Sequence, residues 1–171
     1  DTSGIILIAK NDKVHNALSK QFNLRLVKKE YLALAWGRLN QQGLIHGNID
    51  RHPRNRKIFT IVDNGGRDAV TEYKLDKYLA PLSFIKLYPK TGRTHQLRVH
   101  LNSIGHPIFC DDTYGGGKKN IRSFHVKYTQ IINNLFKSIK RVALHAHMIK
   151  ICHPVTKEYI EFKAPIPQDL Q

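Results

Sequence analysis

Leu32-Ala-Leu-Ala-Trp36 is an unbroken apolar run that stops at Gly37. With no polar position to turn towards water, it reads as a strand buried on both faces. Gly4-Ile-Ile-Leu-Ile-Ala9 has the same character, rich in β-branched residues, and predicts a second such strand. Leu44–Ile49 is a weaker strand, and Leu82–Tyr88 alternates weakly. Ile58–Val62 and Ala69–Tyr73 flank Asn64-Gly65-Gly66, the strongest hairpin signal in the chain. Leu144–Ile151 and Glu158–Ala164 read as paired strands around Pro154, the second with Ile160, Phe162 and Ala164 facing inward. Helices are fewer. Asn11 is placed to cap one that carries Val14, Ala17, Leu18 and Phe22 on a face. Tyr128, Ile131, Ile132, Leu135, Phe136 and Ile139 mark a second, amphipathic one that should dock on the sheet. The expected fold is α+β: a mixed, largely antiparallel sheet with helices packed on it, in one domain over residues 1–171.

Residues 88–105 hold the densest chemistry. Pro89-Lys90-Thr91-Gly92 is a turn signature, after which Arg93, His95, Arg98 and His100 follow within eight residues. Leu97, Leu101 and Ile104 share one helical face, Thr94 is the candidate N-cap, and Gly105 with Pro107 supplies the stop. His95, Arg98 and Asn102 then lie on the opposite side. A guanidinium held on a short anchored helix beside a turn of free amides suits a phosphate or a carboxylate.

Charge narrows the partner. The chain has 28 Lys and Arg against 13 Asp and Glu, a formal net charge of +15. Such an excess favours a polyanion. No apolar run is long enough to span a bilayer as a helix, and no polybasic segment flanks one, so nucleic acid is preferred over a membrane. Arg51-His-Pro-Arg-Asn-Arg-Lys57 carries four of those positive charges and reads as a loop able to meet phosphates through Arg51, Arg54, Arg56 and Lys57. Cys110 and Cys152 sit in apolar surroundings and form no disulfide framework, which fits a reducing, cytoplasmic setting. His145 and His147 would share a strand face, with Cys152 and His153 nearby, but no metal motif completes a ligand set, so no metal is expected. Gly115-Gly-Gly117 lacks the context of a nucleotide loop.

Several of these stretches, in order, resemble the RluA-type family of RNA pseudouridine synthases, and the likeness runs over essentially the whole chain. Thr2-Ser-Gly-Ile-Ile-Leu-Ile-Ala-Lys10 is similar to the tail of the family's His-Arg-Leu-Asp-x-x-Thr-Ser-Gly signature. Lys29-Glu-Tyr-Leu-Ala-Leu34 resembles its Lys-x-Tyr-x-Ala-Leu element, and Gly92-Arg-Thr-His-Gln-Leu-Arg-Val-His100 its most specific motif. Gly105-His-Pro-Ile, Asp112-x-Tyr-Gly, Leu144-His-Ala146 and His153-Pro154 recur in it too. Ala164-Pro-Ile-Pro-Gln-Asp169 and the loop at Arg51 look most like the branch acting on large-subunit ribosomal RNA.

The resemblance implies isomerisation of uridine to pseudouridine in RNA, by a monomer, with neither cofactor nor metal. It implies an aspartate nucleophile, three positions before Thr2 and so two residues ahead of Asp1, which itself falls on a spacer position. It assigns Arg98 as the partner of that aspartate, leaving Arg98 an unpartnered cation in this chain, which is then expected to be inactive. Tyr31 becomes the aromatic that stacks on the target base, and Arg93, His95 and the Arg51–Lys57 loop become RNA contacts. The alternative is a non-catalytic RNA-binding or ribosome-associated protein, which the charge fits equally.

Overall fold

In the computed structural model the described residues are 2–171; Asp1 lies outside them. The elements are β1 (Ser3–Gly4), α1 (Asp12–Asn23), β2 (Lys28–Trp36), β3 (Gln42–Arg51), β4 (Phe59–Val62), β5 (Arg67–Leu79), β6 (Leu82–Pro89), α2 (Gln96–Ser103), α3 (Thr129–Ser138), β7 (Leu144–Cys152) and β8 (Tyr159–Lys163). Short 3-10 turns occupy Asp112–Tyr114, Lys118–Ser123, Val126–Tyr128 and Gln168–Leu170.

The strands form one sheet in the order β1-β7-β2-β6-β5-β3-β4, with β8 also paired to β7. Among the described residues only the β1–β7 pairing is parallel. The fold class read from the sequence is therefore correct. β2 is interior, as its apolar run requires, with β7 on one side and β6 on the other. Leu32, Ala33, Leu34, Ala35 and Trp36 are all buried. Trp36 anchors the main core. Its indole N–H donates to the Gly116 carbonyl at 2.8 Å, and its ring stacks on Phe124 at 5.3 Å. A Cβ on Gly116 would fall 1.6 Å from the Ile108 carbonyl oxygen, so glycine is needed for this close approach.

Three expectations need correction. The Gly4–Ala9 run is not a strand buried on both faces. Its ladder ends at Gly4, and the rest alternates, with Ile5, Leu7 and Ala9 packed on Leu18 and Ile149 while Ile6 and Ile8 are 81% and 76% exposed. The Asn64-Gly65-Gly66 turn does not close a hairpin between β4 and β5. Both strands pair with β3 instead, which lies between them. Gly65 and Gly66 have φ of 75° and 71°, so the turn is real, but Asn48 and Ile49 of β3 pair with β4 on one edge and β5 on the other and separate its flanks. In β8, Phe162 is 46% exposed, so the inward face expected there is weak. β7 and β8 do pair antiparallel, Met148 to Lys163 through Cys152 to Tyr159. α1 is capped as expected, the Asn11 side chain accepting from the Val14 amide at 3.0 Å. α3 buries Ile132 and leaves Ile131 56% exposed.

The two cysteines are free thiols and only half-buried. Cys110 donates to the Ile139 carbonyl at 3.1 Å, and burial pushes its thiol pKa up to about 12, which leaves it protonated. No helix among the described residues is long and apolar enough to cross a membrane.

Candidate active site

β6 ends at Pro89, and the turn from Lys90 to Thr94 returns the chain into α2 across the end of the sheet. Gln96 fixes this turn. Its carbonyl oxygen accepts from the Thr91 hydroxyl at 2.7 Å and from the Arg93 amide at 2.9 Å. Its amide nitrogen donates to the Val70 carbonyl and the Thr71 hydroxyl oxygen, both at 3.0 Å. Thr91 also accepts from the Val70 amide at 3.0 Å. A buried carboxamide with both ends satisfied is rigid, and here it ties turn, helix and β5 together.

The N-cap of α2 is His95, not Thr94. His95 takes the left-handed conformation, φ 54°, and makes no side-chain cap bond, while Gln96 ties back the Arg93 amide. The His95 ring packs edge-on against Phe59 and Tyr114, and its Nδ1 lies 2.8 Å from the Tyr114 hydroxyl. That hydroxyl oxygen accepts from the Phe59 amide at 3.0 Å, so its own proton is free for His95 Nδ1. Desolvation, and then the charge of Arg98, lower the His95 pKa. Leu97 and Leu101 enter the core, as their spacing predicts, whereas Ile104 is 38% exposed at the C-cap. Gly105 follows with φ 79°, the backbone expected of a helix-stopping glycine.

Arg98 is not an unpartnered cation. Its Nε and Nη2 donate to the two carboxylate oxygens of Asp111, each at 2.7 Å. Its guanidinium lies 4.6 Å from the centroid of the Tyr114 ring. The bond to Asp111 raises the Arg98 pKa above its ordinary value. Asp111 is fully buried and also accepts from the Tyr114 amide at 3.1 Å. The sequence reading named no carboxylate within the chain as the partner of Arg98; Asp111 makes the contact, while its neighbour Asp112 is exposed. The Nη1 edge of Arg98 has no hydrogen-bond partner among the described residues, so the guanidinium can still take a second anion from the cleft side.

Tyr31 sits on β2 beside a register shift in the pairing with β7, where Glu30 faces Met148 and Tyr31 faces Ala146, leaving His147 of β7 as the extra residue. It is half-buried, and desolvation raises its pKa. Tyr31, Arg98, His95 and Arg93 line one cleft of about 350 Å³, together with Thr2, Lys29 and Gly92. Arg93 also faces a second, basic cleft of about 460 Å³, whose walls include Arg51, Arg67 and Phe59. Its Nε donates to the Asp68 carbonyl at 2.9 Å, which leaves the end of its guanidinium free. Arg51 lies over the Phe59 ring at 5.2 Å. Arg54, Arg56 and Lys57 stand exposed on the β3–β4 connection and line neither cleft.

The structure thus joins Tyr31, Arg98, His95 and Arg93, adds Arg51 through the adjoining cleft, and leaves the rest of the basic loop outside. Sequence reasoning missed Lys29, Gln96, Asp111, Tyr114 and Arg67. Lys29 was legible in principle, since positions two apart on a strand share a face and Tyr31 was already singled out. Asp111 was not, because adjacent aspartates are equivalent until the backbone orients them. His145 and His147 have ring centroids 5.9 Å apart, and Ser3 Oγ lies 2.9 Å from His145 Nδ1, but among the described residues no group of three or more ligating side chains forms.

This constellation pairs an aromatic face with a fixed cation and opens into basic surface, a layout suited to a flat ring on a phosphate backbone. The comparisons agree. A family model described as RNA pseudouridylate synthase matches residues 1–103. An uncharacterised RNA pseudouridine synthase of Chlorobaculum parvum is 39% identical over 99% of this chain and 53% of its own. The ribosomal large subunit pseudouridine synthase D of Xanthomonas campestris is 39% identical over 100% of this chain and 50% of its own. The chain therefore spans about half the length of these curated relatives. Among solved structures, human RNA pseudouridylate synthase domain containing 1 superposes with a TM-score of 0.71 at 28% identity, covering 95% of this chain and 65% of that one. On these matches the chain belongs to the RNA pseudouridine synthase family, RluA type.

Proposed function

We propose that this domain isomerises specific uridines to pseudouridine in large-subunit ribosomal RNA. The single observation that supports this most is the cleft that brings Tyr31, Arg98 and Arg93 together, continuous through Gly92 and Arg93 with a second cleft bearing Arg51 and Arg67. A uridine swung out of its strand would stack on Tyr31, offsetting part of the unstacking cost. The flanking phosphates would meet Arg93, Arg51 and the exposed charges of Arg54, Arg56 and Lys57, with His95 at the cleft edge. The Xanthomonas relative is named for the ribosomal large subunit, and that is the ground for the choice of RNA.

The nucleophile in this reading is the aspartate that the family signature puts three positions before Thr2. Thr2 lines the same cleft as Arg98, and three residues of extended chain reach about 10 Å, which supports a carboxylate from that motif within range of Arg98. The role of Arg98 is to hold that carboxylate ionised and oriented with the guanidinium edge Asp111 does not use. Asp111 keeps the guanidinium in place. The reaction is an isomerisation and is read as needing neither cofactor nor metal. A reducing cytoplasm fits its free thiols.

The test is to incubate the full-length protein with an unmodified large-subunit ribosomal RNA transcript and assay for pseudouridine. Pseudouridine at discrete positions is expected; binding without conversion would make the domain an RNA-binding module.

A further inference from the structure

One charged side chain in the cleft has no part in the account so far. Lys29 and Tyr31 are two apart on β2, and both line the cleft that holds Arg98. The Lys29 ammonium donates to the Thr91 carbonyl at 3.3 Å, using one of its three N–H groups. A Cβ on Gly92 would sit 3.7 Å from this nitrogen, so the ammonium lies against the Gly92 wall. No carboxylate makes an ion pair with it among the described residues. Burial lowers its pKa, the mark of a charge stripped of water and not repaid by a counter-charge. Arg98, by contrast, pairs with Asp111, and the functional reading gives its remaining edge to the aspartate nucleophile.

The proposed reaction generates an anion at this spot. When the bond between C1′ and N1 breaks, its electron pair stays on N1, and the charge spreads over N1, O2 and O4 of the uracil ring. Tyr31 can hold such a ring but cannot stabilise its charge, because an aromatic face is itself negative. A cation at the ring's rim is needed, and Lys29, two residues from Tyr31 on β2, offers one that no carboxylate pairs among the described residues. We propose that the Lys29 ammonium stabilises the departing uracil anion while Tyr31 supports its face. The aspartate nucleophile of the functional reading bonds to C1′ as N1 leaves. The ring then turns, and C5 bonds to C1′ as that C–O bond breaks and returns its electron pair to the carboxylate. The hydrogen on C5 leaves as a proton and N1 takes one up, so the sum is an isomerisation with no net change of charge.

This inference rests on the functional reading above, and the experiment separates the two. Full-length wild type, Lys29→Met and Lys29→Gln are compared in single-turnover conversion of a large-subunit ribosomal RNA transcript, with RNA affinity and thermal unfolding measured in parallel. Gln keeps an N–H donor on this side chain but no charge. Both variants are expected to keep wild-type RNA affinity within about twofold and to lose about 10²-fold or more in maximal rate, the scale seen when a group facing developing charge is removed. A fall in RNA affinity with the maximal rate unchanged would make Lys29 a phosphate contact and overturn the proposal, as would wild-type rates in Lys29→Gln. Absence of pseudouridine with wild type would overturn the functional reading and this inference with it.

Discussion

Arg98 and Asp111 form a side-on, two-bond ion pair, both contacts 2.7 Å, with the carboxylate fully buried and the guanidinium side chain 15% exposed. The guanidinium that the functional reading turns towards substrate is thereby held by a fully buried carboxylate. Tyr114 completes the mount, with its ring beneath the guanidinium and its hydroxyl on His95.

Removing Arg98 leaves the Asp111 carboxylate buried and unpaired. Arg98→Met is expected to destabilise the fold by about 3–5 kcal/mol, as for other broken buried pairs. Arg98→Lys keeps the charge but not the fork, so it should cost less in stability while losing most of the turnover and keeping RNA binding. Urea unfolding and single-turnover assays read the two effects separately. Near wild-type turnover in Arg98→Lys would remove Arg98 from the mechanism.

Tyr31 is assigned to stacking, worth roughly 1–3 kcal/mol per base. Tyr31→Phe keeps the ring and should change the rate little, whereas Tyr31→Ala should lower it by about tenfold or more. Equal losses in the two variants would point to the hydroxyl.

Gln96 makes four hydrogen bonds from a buried site. Gln96→Glu replaces its NH2 by an oxygen facing the Val70 carbonyl. The expected cost is about 2–4 kcal/mol of stability, from lost bonds and a desolvated charge, together with weaker RNA binding as the Arg93 turn loosens. Thermal unfolding and fluorescence anisotropy with labelled RNA check both parts.

His100 is fully buried, with Nδ1 2.9 Å from the Thr71 hydroxyl oxygen and no hydrogen-bond partner at Nε2. Desolvation, helped by the charge of His46, pushes its pKa from 6.5 down to about 4. Between those values the unfolded chain binds a proton that the folded one does not. The stability contribution is therefore complete above pH 6.5, is lost as the pH falls towards 4, and levels off below. It amounts to on the order of 3 kcal/mol. Urea midpoints from pH 7 to pH 4.5 should fall more steeply for wild type than for His100→Gln; parallel slopes would count against it.

How much of this was legible beforehand depended on the range of the forces involved. The core strand at Leu32–Trp36, the capped helix after Asn11 and the two-turn helix carrying Arg98 are set by neighbouring residues, and each is present, the last with His95 in place of Thr94 as its N-cap. The partners of β4 and β5 are not local. Gly65 and Gly66 encode a turn, but whether β3 inserts between its flanks depends on residues 42–51, and pattern alone favoured the nearer pairing. The same limit hid Asp111. Arg98 reads from the sequence as a cation suited to a phosphate or a carboxylate, but nothing local singles out the carboxylate thirteen residues on. Ile6 and Ile8 misled because apolar composition was taken for burial, whereas the segment has only one packed side.

The central claim is that a chain with this cleft modifies ribosomal RNA, and mapping pseudouridines in large-subunit ribosomal RNA tests it most directly. Maps would be compared for cells with the gene intact, cells lacking it, and cells complemented with wild type or Arg98→Lys. Loss of one or a few pseudouridines on deletion, restored by wild type and not by Arg98→Lys, is the predicted result. An unchanged map in the deletion strain would contradict it.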